Sequence, residues 1–456
     1  SLILTHAGVF MAVPDSPLIF FTLVFLVLLR EYLNKDSWKT ALALGIIAAA
    51  LMYSKYHAIV LFASVILAAP KLLTRKSFWL TTILGITLFI PHILWQFEHD
   101  LVSFKFHWVV REKKVWDVLI LLDYLLGQLI MLGPVGLILI VALFKLKKRS
   151  TFDRILTAVV IGFFGFFFVM ALRGKVEANW TASAFLPLII LGTRFIANED
   201  KLQKILKPVA LSMLILLVIA RIYVVSPWAG DSLKLNFPLK GWDNWASAVR
   251  EKANGKPVFF SGTYQLTSQY SFYSGEQGYH FSPLNYNGNQ FELWDFDSIV
   301  EGKEFLLVLG SSEDSSKAIE SNGFKTMYGF PLKNYHSYRN LRFKFEENHL
   351  SGAVSSTVQL NGELLNRTGK IINIDSLLMQ HPLKTFYYLN GTQTPAEPLP
   401  CVGCDGKLLP NASKPVSFTI RIPEKSGKYF IRFGLDFALG MPEQNSDFIQ
   451  LNVTQK

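Results

Sequence analysis

The chain has 456 residues, 51% of them hydrophobic and only 17% charged, with a mean hydropathy of +0.30. This excludes a disordered chain, a collagen-like fibre and a small disulfide scaffold, and the length suffices for about three domains. Residues 1–225 hold 23 Lys+Arg against 12 Asp+Glu, whereas residues 226–456 hold 22 of each, so the whole net charge of +11 lies in the apolar half. Basic residues between apolar runs point to a membrane topology and away from nucleic acid, which calls for a basic face on a soluble domain.

The sequence opens at Ser1 on an apolar stretch, with no initiating Met and no signal peptide, which reads as the interior of a longer chain. A helix crossing hydrocarbon needs about 20 mostly apolar residues. Eight candidate spans follow: 17–30, 40–54, 57–70, 78–95, 118–144, 155–172, 181–197 and 208–225. Loops 30–39, 71–77, 145–154 and 194–207 carry 15 Lys/Arg, and the alternate loops 14–17, 54–57, 95–117 and 172–180 carry 7. The positive-inside rule makes the first set cytoplasmic, and the second set and everything after 225 external.

The external loops hold polar clusters pressed against helix ends. Ionisable groups at membrane depth are costly and tend to be functional. Asp15, between Pro14 and Pro17, serves either as a helix cap or as a carboxylate facing an outer cavity. Lys55 and His57 separate two short apolar runs. Lys55 is either a snorkelling interface lysine or a point charge for a lipid phosphate. The segment with Lys105, His107, Arg111, Lys113 and Lys114 among aromatics is a headgroup-level belt or a holder of anionic lipid. Arg173, Lys175, Glu177 and Asn179 recur every second residue before Trp180, as a solvated loop or as a cavity wall. The four clusters at 14–17, 54–57, 95–100 (Trp95-Gln-Phe-Glu-His-Asp100) and 175–180 all open on one side, as the lining of one outer cavity. A divalent cation near Asp15 is compatible with the carboxylate, but the spacing supplies no ligand set. No Walker-type loop, GxGxxG or HExxH occurs, so an activated substrate has to arrive on a lipid carrier.

In residues 226–340, Val258-Phe-Phe260 and Phe305-Leu-Leu-Val-Leu-Gly310 read as buried strands and Ser312–Ser321 as a helix with a Ser cap, giving a small α/β domain. Residues 341–456 alternate with period two, as in Ser417-Phe-Thr-Ile-Arg-Ile422 and Lys428-Tyr-Phe-Ile-Arg-Phe433, which predicts a β-sandwich. The two cysteines, Cys401 and Cys404, cannot alone hold zinc; they read as a local disulfide or two idle thiols in an exported loop.

The order Pro14-Asp-Ser-Pro-Leu18, Ser54-Lys-Tyr56, Trp95-Gln96 with His99, Val102-Ser-Phe-Lys-Phe106, Gly127-Gln-Leu129, Leu132-Gly-Pro134 and Arg173-Gly-Lys-Val-Glu-Ala-Asn-Trp180 resembles the bacterial membrane glycosyltransferases of family 39. These stand with the dolichyl-phosphate-mannose–protein mannosyltransferases and are similar to the lipid A aminoarabinose transferases. Residues 241–300, through Pro257-Val-Phe-Phe-Ser-Gly-Thr-Tyr-Gln-Leu266, Ser271-Phe-Tyr273 and Asn289-Gln-Phe-Glu-Leu-Trp294, resemble the exported tail of such proteins.

The resemblance implies a GT-C-like α-helical integral membrane bundle (1–225), here with about eight transmembrane helices, followed by exported α/β (226–340) and β-sandwich (341–456) domains. It implies an inverting transferase in the cytoplasmic membrane, using a polyprenyl-phosphate sugar donor and a lipid, glycan or protein acceptor on the outer face. Lipopolysaccharide and protein glycosylation are the matching processes. Asp15 would lie near the donor phosphate, with Lys55, Lys175 and Glu177 lining the same cavity and His57, Arg173 and Asn179 completing the substrate-binding set. The family's acidic base precedes the Asp-Ser-Pro motif, so the base is expected upstream of Ser1 and none is named here. The rival expectations are a membrane-anchored glycan-binding module without catalysis and a lipid-linked sugar transporter. A transporter calls for internal repeats and mid-membrane polar residues, and no clear repeat is found.

Overall fold

A computed structural model describes residues 13–99, 101–105, 118–145, 150–225, 241–281, 289–294, 296–320, 326–389, 392–393, 397–439 and 441–455. It divides into two compact units, 1–235 and 236–456.

Among the described residues the first unit is helical, with α1 (Asp15–Asn34), α2 (Trp38–Ser54), α3 (Ala58–Ala68), α4 (Lys76–Glu98), α5 (Val118–Lys145), α6 (Thr151–Ala171), α7 (Ala182–Ile196) and α8 (Asp200–Val225), besides a single turn at Val102–Lys105. Each of the eight expected segments is thus helical. Five, in α1, α4, α5, α6 and α8, are long and apolar enough to cross a membrane, while α2 and α3 are shorter apolar helices. Large apolar side chains point outward from the bundle, among them Phe20, Ile59, Ile83, Ile161 and Leu216. A surface of that kind suits hydrocarbon, not water. The core is built from Leu18, Leu44, Leu51, Phe163 and Phe167.

Local chemistry sets the helix shapes. A Cβ on Gly45 would stand 2.9 Å from the Thr81 carbonyl, so glycine lets α2 and α4 approach closely. Helix α5 breaks at Gly133 (φ 57°, ψ −176°), because Pro134 has no N–H to give and its ring clashes with the preceding turn. Helix α6 starts on a capping box, with Ser150 Oγ accepting from the Asp153 N–H and Asp153 Oδ2 accepting from the Ser150 N–H.

Polar contacts sort the helix ends into two sets. At one end, Arg75 donates to the carbonyls of Tyr32 and Leu33, Ser77 donates to Asp36, and Arg194 pairs with Asp153. At the other end Asp15, Lys55 and Asn179 meet. No loop of the expected cytoplasmic set pairs with one of the expected external set in these contacts.

The second unit opens with α9 (Trp242–Ala253), β1 (Val258–Ser261), α10 (Tyr264–Ser274), β2 (Gly278–Phe281), β3 (Phe305–Leu309), β4 (Ala318–Ile319) and β5 (Met327–Leu332). The sheet order is β2-β1-β3-β5-β4, with β1 parallel to β2 and β3, and β5 antiparallel to β3 and β4. Successive strand residues face opposite sides: Phe260 packs on Trp245 and Tyr270, and Phe259 on Tyr279 and Tyr335. The helix expected over Ser312–Ser321 is not formed over its described part. A single 3-10 turn, Ser315–Lys317, leads into β4. Asp314 Oδ1 accepts from both the N–H and Oγ of Ser316, a local bond that competes with helix propagation.

The remainder has two main β-sheets, with a small two-stranded sheet of Ile372–Asn373 and Lys407–Leu408 and a short helix, Ile374–Gln380, beside them. Strands β6 (Leu341–Phe345), β8 (Thr357–Asn366) and β10 (Ser413–Arg421) form one sheet; β7 (His349–Ala353), β9 (Leu383–Leu389), β11 (Gly427–Ala438) and β12 (Ile449–Thr454) belong to the other. Phe418 and Ile420 of the first, with Ile422 just past its strand end, share one core with Tyr429, Ile431, Phe433 and Leu435 of the second. The period-two pattern predicted this alternation. Cys401 and Cys404 are disulfide-bonded.

Candidate active site at one end of the bundle

Lys55 closes α2 in an extended conformation and its carbonyl accepts from the Ala58 N–H, so it occupies a corner between α2 and α3. From there its Nζ reaches 2.9 Å from Asp15 Oδ1 in the first turn of α1. A carboxylate is favourable at that position, where unpaired helix N–H groups carry partial positive charge. Asn179 Nδ2 donates to the second oxygen, Asp15 Oδ2, at 2.9 Å. Asp15 is 4% exposed, and both its oxygens are engaged. Lys55 Nζ also lies 5.9 Å from the centroid of the Trp180 ring, a cation–π distance. An ammonium has three donors; among the described residues one is used.

Asn179 stands on a 3-10 turn, Ala178–Thr181. Helix α5 fixes that turn: Gln128 Nε2 donates to the Ala178 carbonyl at 3.1 Å and Gln128 Oε1 accepts from Thr181 Oγ1 at 2.7 Å. Beside it, His57 packs on Phe167 and Trp180 with ring centroids 4.8 and 5.1 Å away. A second polar group adjoins through Tyr56. Its hydroxyl is 2.5 Å from His92 Nε2 and accepts from Gln96 Nε2 at 3.1 Å, while Gln96 Nε2 also donates to Ser103 Oγ at 2.8 Å.

Of the seven residues expected at the site, Asp15, Lys55 and Asn179 form one hydrogen-bonded group, and His57 joins it through the Trp180 ring. Lys175 and Glu177 pair with each other at 2.9 Å and are about half exposed. Arg173 is exposed and does not enter the group. His107, Arg111, Lys113 and Lys114 lie outside the described residues. Among the described residues no cluster of three or more His, Cys, Asp or Glu is set to hold a metal ion. Sequence reasoning assigned no site role to His92, Gln128 or Thr181, although Gln128 lies in the Gly127-Gln-Leu129 motif. The signal for the first two was a lone polar residue inside an apolar helix.

Residues 1–95, which contain both Asp15 and Lys55, match the family model described as dolichyl-phosphate-mannose-protein mannosyltransferase. The match is a likeness to that family over the first 95 of the 456 residues, and it stands beside five helices long and apolar enough to cross a membrane. No curated protein matches the chain. Among solved structures, the alkylpurine DNA glycosylase AlkC of Pseudomonas fluorescens aligns at 8% identity over 25% of this chain and 31% of its own, with a TM-score of 0.18. The secreted serine protease VesC of Vibrio cholerae aligns at 15% identity over 30% of this chain and 29% of its own, with a TM-score of 0.16. Domains 4 and 5 of the S-layer protein SbsC align at 8% identity over 34% of this chain and 79% of theirs, with a TM-score of 0.15. The chain thus spans about a third of the glycosylase and protease chains, and TM-scores this low say nothing about its fold or activity.

Proposed function

We propose that the protein transfers a sugar from a polyprenyl-phosphate donor to a lipid, glycan or protein acceptor at the outer face of the cytoplasmic membrane. The observation that carries the reading is the Asp15–Lys55–Asn179 group, assembled from three of the four loops assigned to one side. Two of its members lie inside the matched family segment. An acceptor hydroxyl attacks C1 of the sugar, the C1–O bond to the lipid phosphate breaks with inversion, and the hydroxyl proton passes to a base. Negative charge grows on the departing phosphate, and a preorganised cation stabilises it. In this reading Lys55 takes that task, and Lys175, paired with Glu177, and Arg173 are the further cation candidates from the loop before Trp180. Asp15, with both oxygens engaged, is a positioning residue that holds the ammonium; it is not itself a phosphate ligand.

The Cys401–Cys404 disulfide supports an oxidising compartment for the second unit, in agreement with the charge asymmetry of the loops. The test is release of polyprenyl phosphate from a polyprenyl-phosphate-linked hexose by membranes containing the protein, with mass spectrometry of the sugar-bearing product. Release coupled to a glycosylated product is expected. Donor binding without release would favour the non-catalytic binding module, and movement of intact donor between leaflets would favour the transporter.

A further inference from the structure

The second unit contains a cleft of about 400 Å³. Its lining includes the aromatic rings of Tyr335 and Phe437 and the polar side chains of Asn334, His336, Gln380 and His381. His336 Nδ1 lies 2.9 Å from Glu301 Oε1, and His381 Nδ1 lies 2.6 Å from the Asp436 carbonyl oxygen. Carboxylate and carbonyl oxygens only accept, so both Nδ1 atoms carry the hydrogen and both Nε2 atoms are left for another partner. The side chains of Asn334 and Gln380 are exposed and offer amide donors and acceptors beside them.

Two further features mark the cleft. Lys333, also in its lining, is 81% exposed, and its ion pair with Glu304 is long at 3.9 Å, whereas Lys256 pairs with the other Glu304 oxygen at 2.8 Å. No carboxylate is among the lining residues. Two of them, Asn334 (φ 55°) and Leu439 (φ 53°), hold left-handed backbone without being glycine. That conformation is uncommon for Leu, and such strain gathers at ligand sites.

We propose that this cleft binds a saccharide bearing an acidic substituent. Ring hydroxyls donate to the two Nε2 atoms and accept from the amides. The apolar face of the sugar lies over Phe437, and Lys333 takes the carboxylate or phosphate. Binding here is separate from transfer chemistry in the helical unit and survives the failure of that reading.

The experiment is calorimetric titration of the full chain, in a non-glycosidic detergent, with tri-galacturonic acid and with maltotriose. The acidic trisaccharide binds, and maltotriose binds at least tenfold more weakly. Lys333→Glu and Gln380→Ala, both at exposed positions, each weaken the acidic sugar at least tenfold. Equal affinity for the two sugars, no binding of tri-galacturonic acid, or wild-type affinity in the double variant overturns the proposal.

Discussion

Lys55 and Asp15, 40 positions apart, form an ion pair of 2.9 Å in which the carboxylate side chain is 5% exposed and the lysine 19%. Removing one member strands the other in a poorly solvated place, which costs about 3–5 kcal/mol for a buried pair. Lys55→Met is therefore expected to lower stability by about 3 kcal/mol. The double variant Asp15→Asn/Lys55→Met recovers most of that loss while remaining inactive. Thermal unfolding in detergent with parallel turnover assays measures both, and a double variant no more stable than Lys55→Met contradicts the coupling.

The Lys175–Glu177 pair has the same 2.9 Å separation but half-exposed side chains. Pairs of that kind contribute about 0–1 kcal/mol. Glu177→Gln is expected to leave the unfolding midpoint within about 1 °C, since small stability changes of ~0.3 kcal/mol move it little. Its turnover falls less than that of any Lys55 variant. A larger loss on Glu177→Gln than on Lys55→Ala would move the centre of the site to the 172–180 loop.

Gly133 breaks α5, and a Cβ there would meet Met213 Cε at 2.9 Å. Gly133→Ala is expected to destabilise the bundle by about 1–3 kcal/mol through the backbone alone. Adding Met213→Ala removes the clash but leaves the φ penalty. The recovery is partial, and full rescue by Met213→Ala would show that sterics and not backbone conformation select glycine.

His280 of β2 is buried, and desolvation lowers its pKa from 6.5 to about 4. Between those values the unfolded chain binds the proton more readily than the folded one, so stability rises with pH. The contribution is complete above pH 6.5 and is lost as pH falls toward 4; at pH 5 the loss is about 2 kcal/mol. Melting curves at pH 7 and pH 5 should differ more for the native protein than for His280→Gln. Equal differences would mean that another group sets the acid sensitivity.

Much of this was legible because it depends on local pattern. Leu18, Leu44 and Phe163 sit in long apolar runs, and Phe418, Ile420 and Ile422 alternate with polar neighbours, so the helical half and the β half announce themselves. Asp15, Lys55 and Asn179 were legible one by one, as polar groups between apolar spans. Their pairing was not, since Asn179 and Asp15 lie 164 positions apart and only helix packing brings them together. Gln128 stood in the quoted Gly127-Gln-Leu129 motif without a role, because its task, holding the Ala178–Thr181 turn, exists only in the folded bundle. The Ser312–Ser321 helix was misread because the Asp314 side chain supplies hydrogen bonds that a propensity count ignores.

The most direct test of the central claim is the rate of polyprenyl-phosphate release by Lys55→Ala relative to the native protein, with insertion into membranes verified for both. The account predicts at least a hundredfold fall, about 2.7 kcal/mol of lost transition-state stabilisation, in a protein that still inserts. Turnover at the native rate in the inserted variant would remove Lys55 from the reaction, and with it the reading of this helix end as an active site.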